Sequence, residues 1–385
     1  MTSDVAIIDV ERTKFTEDWK KDQFDLAFEV GKPLLDRTGY HRAGVDGFYL
    51  AGNLSSYEAA KFRQMLGVKD KEVHFFMGGV ESGVLALNYG IRSIKSGDCD
   101  VVFVGSSGRS LNTGTEHDYE DPIMKRRQGW YVEAGKIKMQ MMNSLDITEE
   151  SLAGIPVKAH FQGSLNPKAQ YQKIFNREKI LKSPYDKNAK PLREFEKSHE
   201  NCCGAVGMVL ASEDEARKHN NPIFVEGFGT AQCRDKEHCY VIPSIQIAVE
   251  KACKNVVKPS EVPLLQVSDS ATPMEAVTLS NLIIPENELE EVLRKTFRNA
   301  DEPKKQNSSW PYELDKPVFV NTGGGDKADG FPDSATSYIR RVIETRNQLV
   351  GNAGKRQVQD LNHGLTISID GYIEMAVSSH LFGVR

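Results

Sequence analysis

Short apolar runs that end in glycine or a polar turn alternate with helical periods along most of this chain, and few folds accept that alternation. VAIID (Val5 to Asp9) reads as a buried strand that starts at once. FDLAFEVGKPLLDRTG follows, with Phe24, Ala27, Phe28, Leu34 and Leu35 at helical spacing despite Pro33. GFYLAG is a second strand. Ser82 to Lys95 sets Val84, Leu87, Ile91 and Ile94 on one stripe, and DVVFVGSS leads into a glycine turn. The outline then repeats: PIFVEGFG, a helix from Ile245 to Val256, LLQVSDS, VFVNTGGG, a helix from Ala335 to Leu349, and finally LTISIDG and EMAVSSHLFG. Such alternation implies a mostly parallel sheet with helices on its faces, and the recurrence implies an internal duplication.

Two regions break the pattern. Thr113 to Arg193 is polar and charged, and reads as an inserted loop region with short helices. Pro285 to Pro317 is charged and irregular and is expected at the surface, where Trp310-Pro311-Tyr312 either anchors a partner or packs on its own domain. With 385 residues there is room for two domains or one large duplicated one. A net charge of −5 argues against nucleic acid as the main partner. No apolar run approaches the length of a membrane span, and the N-terminus lacks the basic and apolar regions of a secretory signal. The six cysteines form no CxxC pair, which fits reduced thiols in a cytoplasmic protein. His74 and His160 are lone histidines that read as structural, and Cys202 and Cys203 read as packing residues.

VFVNTGGGDKADGFP brings backbone close to whatever lies beyond it. Together with VAIIDVERTKF, SGVLALNYGIRSIKSGDCDVVFVG, VKAHFQGSLNPKAQY, GAVGMVLASEDEA and LTISIDGYIEMAVSSHLFG, it resembles the thiolase superfamily over nearly the whole chain, in particular the archaeal and sterol-carrier-protein type thiolases. The resemblance implies an α/β thiolase fold of duplicated βαβαβαββ halves with an inserted loop domain. The first half would occupy 1–112, the loop domain 113–200, the last strand of the first half 201–220 and the second half 221–385. It also implies dimers formed through the N-terminal halves.

The catalytic positions implied by the resemblance hold other residues. Val80 stands at the nucleophilic cysteine, with Glu81 where the family has a small residue. Ser268 and Phe331 stand at the two histidines, and Gly371 lies in the final turn, IDGYIE. Valine cannot form an acyl-enzyme, and a thiolase needs a thiolate at a helix N-terminus, acid/base groups and oxyanion donors. Glu81, Asp333, Asp370 and Glu374 map at or near the pocket. A carboxylate about 4 Å from a developing enolate opposes it by on the order of 4 kcal/mol at an effective dielectric near 20. Relatives that act as retro-aldolases on steroid side-chain CoA esters carry tyrosines at both histidine positions, a pattern that Ser268 and Phe331 do not match. Asp269 or Asp333 as base with Tyr372 as acid forms a different constellation, although a turn-capping role also explains Asp269.

No cofactor is expected, but a CoA thioester is the candidate ligand. Arg126, Arg127 and Trp130 in KRRQGWY could hold its phosphates and adenine, or form a solvated loop. Lys168 in GSLNPKAQ belongs near a CoA tunnel by resemblance, or ties the loop domain together. Three readings follow: a catalytically degenerate subunit of an acyl-CoA-processing hetero-oligomer, a C–C bond forming or cleaving enzyme without a covalent cysteine intermediate, and an acyl-CoA or lipid binder. Expected partners are a second copy, a thiolase-like paralogue, or a small zinc-ribbon/OB-fold protein.

Overall fold

The computed structural model describes residues 4–18, 20–40, 44–52, 64, 71–78, 80–110, 122–199, 201–233, 237–332, 334–370 and 376–385; for 80, 110, 122–128 and 334 it describes the backbone alone. The strands are β1 (Val5–Arg12), β2 (Gly47–Ala51), β3 (Glu72–Phe76), β4 (Val101–Ser110), β5 (Cys202–Ser212), β6 (Ile223–Gln232), β7 (Leu264–Val267), β8 (Phe319–Val320), β9 (His363–Asp370) and β10 (Ala376–Gly383). They form one sheet in the order β3-β2-β4-β5-β1-β6-β10-β9-β7-β8. Read inward from its own edge, each half runs third, second, fourth, fifth, first strand. The halves join where β1 pairs antiparallel with β6, Ala6 opposite Phe224. The same topology twice is the duplication implied by the sequence.

The sheet is mixed rather than mostly parallel. β2 runs parallel to β3 and β4, and β7 to β8 and β9; the other pairings are antiparallel. Residues 371–375 separate β9 from β10, too few for the helical crossover that a parallel return requires.

The helices used below are α1 (Gln23–Thr38), α2 (Val80–Ser96), α3 (Pro122–Ser144), α4 (Gly154–Leu165), α5 (Pro243–Cys253), α6 (Thr272–Ser280), α7 (Leu289–Thr296), α8 (Gly325–Ala328) and α9 (Ser334–Leu349). The Asp22 side chain caps α1 by accepting from the Phe24 and Asp25 amides, and left-handed Gly39 ends it. Strand alternation sorts the core: Val5 and Ile7 pack with α2 and α9, while Ala6 and Ile8 pack with α1. α2 and α9 touch closely, since a Cβ on Gly83 would lie 2.8 Å from the Ala335 carbonyl oxygen. His380 of β10 joins the same two helices, its Nε2 2.9 Å from Asn88 Oδ1 and its Nδ1 bonded to the Tyr338 hydroxyl. Among the described residues no helix is long and apolar enough to cross a membrane.

Two readings of the sequence need correction. The insertion is not built from short helices alone, because α3 runs for 23 residues. Its buried face, Tyr131, Ala134, Ile137 and Met141, shares a core with α4 to α7. Charge hid that periodicity: Lys138 is fully buried, 2.7 Å from Glu196 and 3.1 Å from Glu149. The segment before β8 is likewise partly core. Trp310 and Tyr312 are buried against Phe297, so they pack on their own chain rather than anchoring a partner.

Candidate functional site

Four chain segments converge where β7, β9 and α2 meet the turn before α9. The first is the N-terminus of α2, which begins at Val80. The amide of exposed Glu81 points at Asp370 Oδ2, 3.4 Å away at the end of β9. A carboxylate at this place meets the positive end of the helix dipole.

The second segment is the turn Ser268-Asp269-Ser270 after β7, all of it buried. Ser268 Oγ accepts from the Ile369 amide at 3.2 Å. Asp269 is fully enclosed. Its Oδ1 accepts from the Asp326 amide at 2.7 Å, and Lys327 Nζ lies 2.9 Å from Oδ2 and 2.6 Å from the Asp269 carbonyl. Burial pushes the Asp269 carboxyl up, against the pull of Lys327. Ser270 Oγ accepts from Trp130 Nε1 at 2.8 Å, which carries α3 of the insertion onto the turn.

The third segment is the glycine turn between β8 and α8. Gly325 has a φ of +62°, and a Cβ there would lie 2.0 Å from Asp269 Oδ2. Glycine is therefore required for the backbone to approach that carboxylate. Beyond α8 the chain reaches half-buried Phe331. The fourth segment, GSLNPKAQY, pairs with it through backbone bonds from Gln170 to Asp329 and from Tyr171 to Ala328. Lys168 Nζ reaches Glu11 and the Arg12 carbonyl at 2.5 and 2.6 Å, tying the insertion to β1.

Of the residues singled out from the sequence, the fold thus gathers Val80, Glu81, Ser268, Asp269, Phe331 and Asp370. Trp130 reaches the same turn, while Lys168 stands on the β1 side of it. Asp333, Gly371, Tyr372 and Glu374, and the side chains of Val80, Arg126 and Arg127, lie outside the described residues.

No family model matches the chain. It is 27% identical to an acetyl-CoA acetyltransferase of Methanothermobacter thermautotrophicus over 96% of each chain. It is also 23% identical to sterol carrier protein 2 of Bos taurus, over 92% of this chain and 68% of that one. The chain is thus similar to thiolase-superfamily proteins over nearly its whole length. Solved structures agree on the fold. The Ltp2-ChsH2(DUF35) aldolase superposes with a TM-score of 0.77 at 17% identity, covering 99% of this chain and 98% of that one. Human mitochondrial 3-ketoacyl-CoA thiolase in complex with CoA superposes with a TM-score of 0.71 at 16% identity, covering 100% and 98%.

Beneath this candidate site lies an ionic cluster that sequence reasoning missed. Asp326 bonds Arg340 and Arg341, each at 2.7 Å, and Asp329 bonds Arg12 at 2.7 Å and Arg340 at 3.2 Å. Glu275 pairs with Lys158 at 2.6 Å and accepts from the Tyr312 hydroxyl at 2.6 Å. Burial opposes ionisation of Asp326, but Arg341 and Arg340 outweigh it and hold the carboxyl below its usual range. The one trace in the sequence is the Arg340-Arg341 pair in a helix otherwise spaced for burial.

Proposed function

We propose that this chain is a catalytically degenerate thiolase-like subunit of an acyl-CoA-processing hetero-oligomer, with a scaffold or regulatory role. The observation that carries this is Asp370 at the N-terminus of α2. On the mapping from the thiolases, that helix end is where a nucleophilic thiolate would gain from the dipole, and Val80 stands in its place. A fixed carboxylate beside it disfavours any second anion. The supports for the reading extend to Asp269, whose carboxylate is committed to Lys327 and the Asp326 amide rather than presented to a ligand. CoA is the ligand this reading assigns, by analogy with the CoA complex of the human thiolase.

Partners follow from two observations. The aldolase that superposes on this chain is named as a complex with a DUF35 protein, which supports a small hetero-partner. β3 is an edge strand of the described sheet, and Met77, Leu85 and Tyr89 beside it are exposed. An edge strand flanked by exposed apolar side chains supports a dimer contact there.

A second reading keeps chemistry in this chain: C–C bond cleavage or formation on a CoA thioester without an acyl-enzyme. The resemblance to a complex named as an aldolase favours it. Native mass spectrometry of the protein purified from its own cells separates the two. A hetero-oligomer with a cysteine-bearing thiolase-like chain is expected. A homodimer that turns over CoA esters by retro-aldol cleavage would overturn the degenerate-subunit reading.

A further inference from the structure

The ionic cluster beneath the site is unbalanced. Six buried basic side chains (Arg12, Lys158, Lys327, Arg340, Arg341 and Arg356) face five buried acidic ones, those of Asp269, Glu275, Asp326, Asp329 and Glu344. The surplus is visible in the hydrogen bonding of Arg341. Its Nη2 donates to Asp326, but Nε and Nη1 meet no acceptor, although the residue is 1% exposed. Among the described residues it is the one arginine with two buried nitrogens in that condition. Ser337 Oγ on α9 and Ser368 Oγ on β9 are buried and unpartnered as well. A buried donor left without an acceptor is destabilising.

Backbone geometry sets these residues on facing surfaces of α9 and β9. Thr345 Oγ1 and Thr366 Oγ1 are 3.1 Å apart and fix how α9 lies on β9. From that contact, Arg341 is four helical residues back, about 6 Å. Ser368 is two strand residues on, about 6.6 Å. α9 is the crossover between β8 and β9, which are both parallel to β7, so it runs against them. Both steps therefore lead toward the candidate site and end level with each other. Ser337 lies one more turn along the same helix face. On the sheet, Val267 pairs with Ile367 and Ser378 with Ser368, so Ser268, Ser368 and Ser378 form a row across three adjacent strands. Ser268 is the residue at the mapped histidine position.

We infer that Arg341, Ser337 and Ser368 form a buried subsite for a small monovalent anion, of carboxylate or halide type, directly behind Ser268. The guanidinium supplies two charge-assisted donors and the hydroxyls two more. The same chemistry fits a free anion or a carboxylate at the end of a ligand's acyl chain.

The test uses the full-length protein. Thermal unfolding in sodium formate is compared with sodium gluconate, too large to enter, at equal ionic strength. Formate is expected to raise Tm by a few degrees. Ser368→Ala, a mild variant, should unfold cooperatively and lose most of that rise. A crystal soaked in sodium bromide should show anomalous density between Arg341 and Ser368. The inference is overturned if formate has no specific effect and Ser368→Ala melts at the same or a higher temperature. It is also overturned if the crystal shows only ordered water there. The source of the anion is read from binding of succinyl-CoA against butyryl-CoA, an arm that alone rests on the CoA reading. Tighter succinyl-CoA binding, weakened at least tenfold by Ser368→Ala and competed by formate, assigns the subsite to a ligand carboxylate. Equal binding of the two esters, with formate and bromide still bound, assigns it to a free anion.

Discussion

α2 and α9 occupy equivalent places in the two halves of the duplicated sheet, yet they are held by different forces. α2 is amphipathic. It buries Val84, Leu87, Ile91 and Ile94 and leaves Glu81, Leu85 and Tyr89 exposed. α9 is enclosed nearly all round, and alongside Tyr338, Ile339, Val342 and Ile343 it buries Arg340, Arg341, Glu344, Thr345 and Gln348. One topology thus accommodates an apolar stripe in the first half and a charge cluster in the second. A buried charge is tolerated only with its partner, so the second helix depends on residues far away in sequence, including Arg12 on β1 through Asp329.

The contrast is broken most directly at Asp326. Asp326→Ala leaves Arg340 and Arg341 facing each other without their shared carboxylate, and should cost about 3–5 kcal/mol by chemical denaturation. A loss below about 1 kcal/mol would mean that water solvates these groups and that α9 is no different in kind from α2. The matching change in the first half, Leu87→Ala, should cost about 2–4 kcal/mol through lost transfer energy and the cavity left. Being apolar, that loss should be the same at pH 5 and pH 8, whereas the Asp326 loss should shrink in strong acid as the carboxylates protonate.

This difference also governs what could be read in advance. α2 was legible because its buried positions recur at helical spacing in apolar residues. The duplication was legible because strands and helices recur in the same order. The cluster under α9 was not, because a buried arginine looks like a surface arginine until its carboxylate is located. Asp269 shows the limit within the site. A turn-capping aspartate and a catalytic base look alike in VSDSATP, and only the fold brings Lys327, 58 residues away, to its side. The face of α3 was obscured in the same way by buried Lys138.

A smaller effect probes the seam between the two helices. Burial holds both His380 and His160 down to about 3, well below the 6.5 of an exposed imidazole. Both are neutral in the folded protein and protonate in the unfolded chain. Their stabilising contribution is therefore complete above pH 6.5 and is lost as pH falls toward 3. Between pH 6.5 and pH 5 each should remove about 2 kcal/mol. Carboxylates with lowered values, Asp326 and Asp329 among them, act with the same sign in stronger acid, while Asp269 and Glu196, pushed up by burial, act with the opposite sign. His380→Gln should make the fall in stability between pH 6.5 and pH 5 smaller by about 2 kcal/mol, measured by denaturant titration. An unchanged slope would show that His380 titrates in the folded state, and that the seam between Asn88 and Tyr338 is wetter than its burial implies.

The smallest effect on the folded chain falls on the exposed side of α2. Leu85 and Tyr89 are 41% and 46% exposed, so replacing both with serine should change the stability of an isolated chain by less than about 0.5 kcal/mol per site. Association should respond quite differently. If the α2 and β3 face is a contact between copies, the unmodified protein's Tm will rise with concentration, because binding stabilises only the folded state. The double variant should lose that dependence and sediment as the smaller species. A Tm independent of concentration in both proteins would leave Leu85 and Tyr89 as isolated surface apolar residues, which are common.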